Sequence, residues 1–142
     1  MSINLKQIEL LKKARNFDTQ DDIIIFEDLL TDITKKKDIT DLNDLLTLFD
    51  DGTEFPEVMY SLVHAVESYP AKGYIKTLLN CYYTGKEQWP AWYKDLMIRI
   101  LNSPIDREIL KKLENEYTKI LTHIKDDLFF DDPEYQKILG SL

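Results

Sequence analysis

The placement of proline constrains this chain more than any other feature. Pro56, Pro70, Pro90 and Pro104 each stand at the head of a run whose apolar residues recur at spacings of three and four. Proline is tolerated in the first turn of an α-helix, where its missing N–H would have no intrahelical partner, and breaks the helix further in. Four helix starts are therefore set between residues 56 and 104. Ser103-Pro104-Ile105-Asp106 adds a serine cap. Asp132-Pro133-Glu134 repeats the logic for a short terminal helix carrying Tyr135, Ile138 and Leu139.

Pro56 and Pro90 are 34 residues apart, as are Pro70 and Pro104. The same offset lays Met59 on Tyr93, Leu62 on Leu96, Val63 on Met97 and Val66 on Ile100, then Ile75 on Ile109, Leu79 on Leu113 and Tyr83 on Tyr117. This predicts a helix-pair repeat, about 56–89 and 90–123, in which each pair buries its face on the next. The Trp, Leu-Gly and Tyr signature of tetratricopeptide repeats is absent, so the expected form is a short HEAT-like stack. The alternative is a chance likeness between similarly capped amphipathic helices.

The first half carries the same periodicity. Leu5, Ile8 and Leu11, with Leu10, line one face of a helix expected over 3–15. Ile23, Phe26, Leu30 and Ile33 line a second, which follows the acidic Asp18–Asp22 and ends at Lys35-Lys36-Lys37, the charge order that a helix dipole favours. A third, from Asp41 to Phe49 with Thr40 as cap, points Leu42, Leu45, Leu46 and Phe49 inward. Asp50-Asp51-Gly52-Thr53 reads as a loop. No segment reads as a strand. The expectation is an all-α fold of about eight helices in a compact antiparallel stack, one domain over 1–142.

Composition narrows the function. The 142 residues are 44% hydrophobic and 11% aromatic, ample for a packed core. With 26 acidic against 18 basic residues the net charge is −8, which argues against nucleic acid as the main ligand. Cys81 stands alone, excluding an intramolecular disulfide framework and multi-cysteine metal sites. The first seven residues lack a secretory pattern, and the strongest apolar block, Ile23–Phe26, is far too short to span a membrane. A soluble, cytoplasmic protein is expected.

Catalytic signals are weak. His64 and Glu67, three apart, could form a base and its orienter, but a histidine bonded within its helix layer explains them more simply. His123 with Asp126 and Asp127 reads as a histidine at a helix end. Asp50 to Glu54 lacks the alternating ligands of a calcium loop, and the four glycines form no phosphate cradle. Cys81 reads as a buried, inert thiol. No enzyme, cofactor or metal is expected.

Charge is more telling. Asp38, Asp41, Asp44, Asp50, Asp51, Glu54 and Glu57 fall in one stretch without a basic residue; Asp126, Asp127, Asp131, Asp132 and Glu134 form another. Asp41 and Asp44, three apart, are expected to project together from the third helix. Clustered like charge costs stability unless a basic partner binds there. Tyr82 and Tyr83 are adjacent, about 100° apart around a helix, so at least one should reach the surface. The expected partner-binding residues are Asp41, Asp44, Asp50, Asp51, Glu54 and Glu57, with Tyr60, Tyr82 or Tyr83 as aromatic anchors.

Leu48-Phe49-Asp50-Asp51-Gly52-Thr53, the run Val58-Met59-Tyr60-Ser61-Leu62-Val63-His64-Ala65-Val66-Glu67-Ser68-Tyr69, then Pro90-Ala91-Trp92 and Arg99-Ile100-Leu101-Asn102-Ser103 together resemble the all-helical immunity proteins of bacterial polymorphic toxin systems, in particular Immunity protein 30. The resemblance covers roughly Leu42 to Tyr117. It implies a non-enzymatic protein that binds a cognate toxin C-terminal domain in the cytoplasm, in contact-dependent inhibition or a related system. The acidic stretch supplies a mechanism beside it: carboxylates occupying the basic cleft of a nuclease as phosphate mimics. The alternative function is a HEAT-like adaptor for an unrelated basic partner.

Overall fold

The computed structural model describes residues 5–142. In chain order these form α1 (Leu5–Ala14), α2 (Gln20–Thr34), a 3-10 turn (Ile39–Asp41), α3 (Leu42–Leu46), α4 (Pro56–Glu67), α5 (Ala71–Asn80), α6 (Tyr82–Gln88), α7 (Pro90–Leu101), α8 (Pro104–Leu128) and α9 (Pro133–Gly140). Among the described residues there is no strand, and the chain is all-α. Residues 3 and 4, where the first helix was expected to begin, lie outside the described residues.

The helix ends follow the chemistry of the sequence. Prolines occupy the first turn of α4, α7, α8 and α9. Ser103 caps α8, its Oγ accepting from Asp106 N–H at 3.3 Å. Thr19 and Asp22 make a reciprocal capping box at the start of α2. Asp38 takes the capping role expected of Thr40: its Oδ1 accepts from both the backbone N–H and the hydroxyl of Thr40. The run after Pro70 is interrupted at Cys81 (φ −95°, ψ 11°), which separates α5 from α6. Tyr117 departs from helical angles inside α8.

The chain divides into two compact units, one ending at Tyr74 and one covering Ile75–Leu142. In the first, α1 packs on α2, and α4 packs on both α2 and α3. Its core holds Ile8, Leu11, Phe26, Leu30 and Ile33 with the α4 stripe Met59, Leu62, Val63 and Val66. Phe17 sits edge-on to Phe26 (5.2 Å) and to Phe55 (6.1 Å). Two residues expected on the inner face of the first helix do not reach it: Leu5 is 73% exposed and Leu10 40%. The buried stripe of α1 is Ile8, Leu11 and Ala14, at spacings of three. Leu5 is in register with that stripe but is the first residue of α1, and Leu10 is off the stripe by angle.

In the second unit α7 is central, packing on α6, α8 and α9. Tyr93 is fully buried; its hydroxyl donates to the Leu78 carbonyl at 2.6 Å, and its ring meets Tyr82 at 5.5 Å and Trp89 at 5.6 Å. Gly85 lets α6 approach that ring. A Cβ there would fall 2.5 Å from Tyr93 Cδ2 and 3.1 Å from Trp89 Cη2. Those ring atoms are packed on every side, so Gly85→Ala should lower stability by about 1–3 kcal/mol, overriding the roughly 1 kcal/mol that alanine gains in helix propensity. Urea unfolding of the two proteins measures the difference.

Candidate functional site

The acidic residues from Asp44 to Glu57 lie on α3, the following loop and the first turn of α4. Asp44, Asp51, Glu54 and Glu57 are exposed. Among the described residues no basic side chain pairs with Asp44, Glu54 or Glu57. Asp50 is half-buried, and its Oδ1 accepts from the Gly52 N–H at 2.9 Å, so this carboxylate shapes the turn. Tyr60, on the exposed side of α4, is 37% accessible.

Asp41 does not project with Asp44. It is 1% exposed, the one charged side chain buried among the described residues. The reason is the 3-10 turn: Asp41 ends it rather than opening a regular α-helix, and its side chain turns inward. Tyr69 registers that charge. Burial, then the negative charges of Asp41 and Asp38, push its hydroxyl up to about 12.

Tyr82 and Tyr83 part company as adjacent residues on a helix must. Tyr82 is buried and Tyr83 is 45% exposed. Tyr82 is therefore no surface anchor. Its hydroxyl donates to Asp127 Oδ2 at 2.7 Å, and Lys86 reaches the same oxygen at 3.5 Å. Tyr83 stands with its hydroxyl 3.1 Å from Nδ1 of His123, and the Lys86 ammonium lies 5.9 Å from its ring centroid. The second acidic stretch is thus partly tied to its own unit, since Lys94 also pairs with Asp132 at 2.7 Å. Of the nine aromatics between residues 56 and 123, Tyr69, Tyr74, Tyr82, Trp89, Trp92, Tyr93 and Tyr117 are buried, leaving Tyr60 and Tyr83 at the surface.

Among the described residues no catalytic set assembles around the histidines. His64 is exposed on α4, in a groove that also holds Ser61 and Ser68. Both hydroxyl protons are committed elsewhere, that of Ser61 to Glu27 Oε2 (2.7 Å) and that of Ser68 to the Ala65 carbonyl (2.6 Å). Neither is handed to the imidazole, as nucleophilic catalysis requires. Asp127, the neighbour of His123, serves Tyr82 and Lys86. Burial pushes the Cys81 thiol up to about 12, far from thiolate reactivity at neutral pH. Among the described residues no group of histidine, cysteine and carboxylate side chains could hold a metal ion. No helix there is long and apolar enough to cross a membrane.

The groove between α2 and α4 is not legible in the sequence, where its only trace is small and polar residues at helical spacing. Glu27, Thr31 and Thr34 recur at that spacing on α2, and Ser61 and Ala65 on α4, with Ser68 at its end.

The described residues form an all-helical framework that leaves the carboxylates of Asp44, Asp51, Glu54 and Glu57 at the surface. Residues 13–110 match the Immunity protein 30 family, and the chain belongs to that family. It is an immunity protein that binds a cognate toxin; such proteins inhibit toxins and are not enzymes. The match begins well before Leu42 and so takes in α2. No curated protein matches the chain significantly, and no solved structure does.

Two buried hydroxyls give opposite predictions. Tyr69 Oη is buried with no hydrogen-bond partner among the described residues. Tyr69→Phe should therefore leave stability unchanged or raise it by up to about 1 kcal/mol, measured by thermal or urea unfolding. Asp127 is held below the ordinary carboxylate value, first by the hydrogen bond from Tyr82 and then by Lys86. Its contribution to stability is present above the unfolded carboxyl's 3.8 and is lost as pH falls through the lower folded value. Tyr82→Phe should move the Asp127 titration upward in a carboxyl-resolved NMR experiment and shrink that acid-side loss.

Proposed function

We propose that this immunity protein neutralises a basic nuclease toxin by laying the acidic segment from Asp44 to Glu57 over the toxin's phosphate-binding cleft. The observation that carries this reading is the exposure of Asp44, Glu54 and Glu57 without a basic partner among the described residues, on a member of a toxin-binding family. A nuclease cleft must be basic to hold phosphates, and carboxylates meet its lysines and arginines where the nucleic acid would lie. Complementary potentials also speed encounter, toward about 10⁸–10⁹ M⁻¹s⁻¹ at low salt. Asp51 adds to the exposed charge, and Tyr60, one turn along α4 from Glu57, supplies the aromatic anchor. Asp50 supports the loop. Delivery of the toxin by contact-dependent inhibition, and protection inside the cytoplasm, complete the proposal.

The test is co-expression with the toxin domain encoded beside this chain, scored for rescue of growth, together with calorimetric affinity at several salt concentrations. The triple variant Asp44→Lys, Glu54→Lys, Glu57→Lys should weaken binding by about 10–100-fold and flatten its dependence on salt. Among the described residues no hydrogen bond or ion pair holds these three side chains, so the fold should persist by circular dichroism, at the small cost of reversing the first-turn charges of α3 and α4. Unchanged affinity in a folded triple variant removes the acidic segment from the interface. A toxin without nucleic-acid-cleaving activity overturns the nuclease assignment.

A further inference from the structure

In the first unit α2 and α4 leave a groove of about 340 Å³ between them, with Leu30 and Ala65 among its lining residues. A charged residue stands toward each end. Ser61 Oγ donates to Glu27 Oε2 at 2.7 Å, and Lys37 Nζ donates to Ser68 Oγ at 2.8 Å. Because Glu27 meets Ser61 while Lys37 meets Ser68, the two helices run in the same direction along the groove. Ser61 on α4 and Ser68, the helical-angled residue that caps its end, are seven residues apart, so the ends lie about 10 Å apart at a rise of 1.5 Å per residue.

The hydroxyls orient these charges without neutralising them. Among the described residues neither Glu27 nor Lys37 has an oppositely charged partner. Lys37 is further fixed by its left-handed backbone (φ 49°), which turns the chain off the end of α2, and by the Tyr69 ring, whose centroid lies 5.5 Å from its ammonium. Between the ends, the hydroxyls of Thr31 and Thr34 donate to carbonyls of their own helix (3.0 and 2.8 Å), so these groove-lining residues have their donors spent within α2. The result is a slot with a fixed negative end and a fixed positive end.

Resting on the toxin-binding reading above, we infer that this slot is a second toxin contact, taking a polypeptide segment that presents a basic side chain to Glu27 and a carboxylate to Lys37. An occupant with a single charge would be attracted at one end and repelled at the other. One with two opposite charges about 10 Å apart satisfies both. A polypeptide is favoured over a small ligand because the slot lies along a helix that also bears Glu57 and Tyr60. A partner covering those two residues reaches Ser61 and His64 within one further turn. Both walls fall inside the region matched to the toxin-binding family.

The experiment is calorimetric titration of the intact chain with the toxin domain whose growth arrest it relieves. Glu27→Lys, Lys37→Glu and Thr31→Trp, the last filling the slot from an exposed position, should each weaken binding at least about tenfold with helicity retained. The double swap Glu27→Lys, Lys37→Glu should not restore affinity, because both ends then oppose the occupant. Should a reversal unfold the chain, Glu27→Gln and Lys37→Met are read in its place. Binding within about twofold of the parent chain for the charge variants, or full recovery in the double swap, overturns the slot while leaving the immunity role intact. A parent chain that binds and rescues no toxin overturns both.

Discussion

Burial of one stripe of α4 is the interaction on which the proposed toxin-binding surface depends. Met59, Leu62, Val63 and Val66 are fully buried, each side chain contributing about 1.5–3 kcal/mol through removal from water. They are held between α2 and α3. A helix pinned on one stripe has no freedom in what it shows on the other. Glu57, Tyr60, His64 and Ser68 are turned outward by the same 3.6-residue period that turns the apolar four inward. Pro56 sets where that helix starts, and so where the acidic loop before it ends.

Like charge is handled differently in the two units. In the second, the acidic residues near the end of α8 are partly compensated: Lys86 and Tyr82 serve Asp127, and Lys94 serves Asp132 while its ammonium lies 5.4 Å from the Phe129 ring centroid. That is a structural use of charge. In the first, Asp41 is drawn inside beneath the 3-10 turn and Asp50 is spent on a turn. Asp44, Glu54 and Glu57 keep their charge for solvent or for a partner. Counting carboxylates along the chain cannot tell these uses apart, since all of them sit in stretches free of lysine and arginine.

Much of the framework was legible because capping and periodicity are local. Helices α4, α7, α8 and α9 begin at the prolines that announced them, and Ser103 caps α8 as its neighbours required. Phe26, Leu30 and Ile33 are buried as their spacing demanded, with Ile23 half-buried. Leu10 was misplaced because a side chain one step off the buried stripe is apolar by identity and exposed by angle, and Leu5, in register with the stripe, is exposed as the first residue of α1. The break at Cys81 carries no proline and no positive φ, so nothing local marked it. The groove went unread because it consists of two helix faces, each unremarkable alone, that gain a meaning only when Glu27 meets Ser61 across them.

The sequence by itself determined an all-helical chain, where most helices begin, an excess of negative charge, and the Immunity protein 30 family, because each of these rests on residues close together along the chain. Tertiary structure decided which charges and rings reach the surface. Asp41 and Tyr82 were sequestered while Asp44 and Tyr83 stayed out, and a hydroxyl from one helix came to orient a carboxylate on another. The physical reason is that exposure and charge compensation are set by whatever packs alongside, and those neighbours lie tens of residues away along the chain.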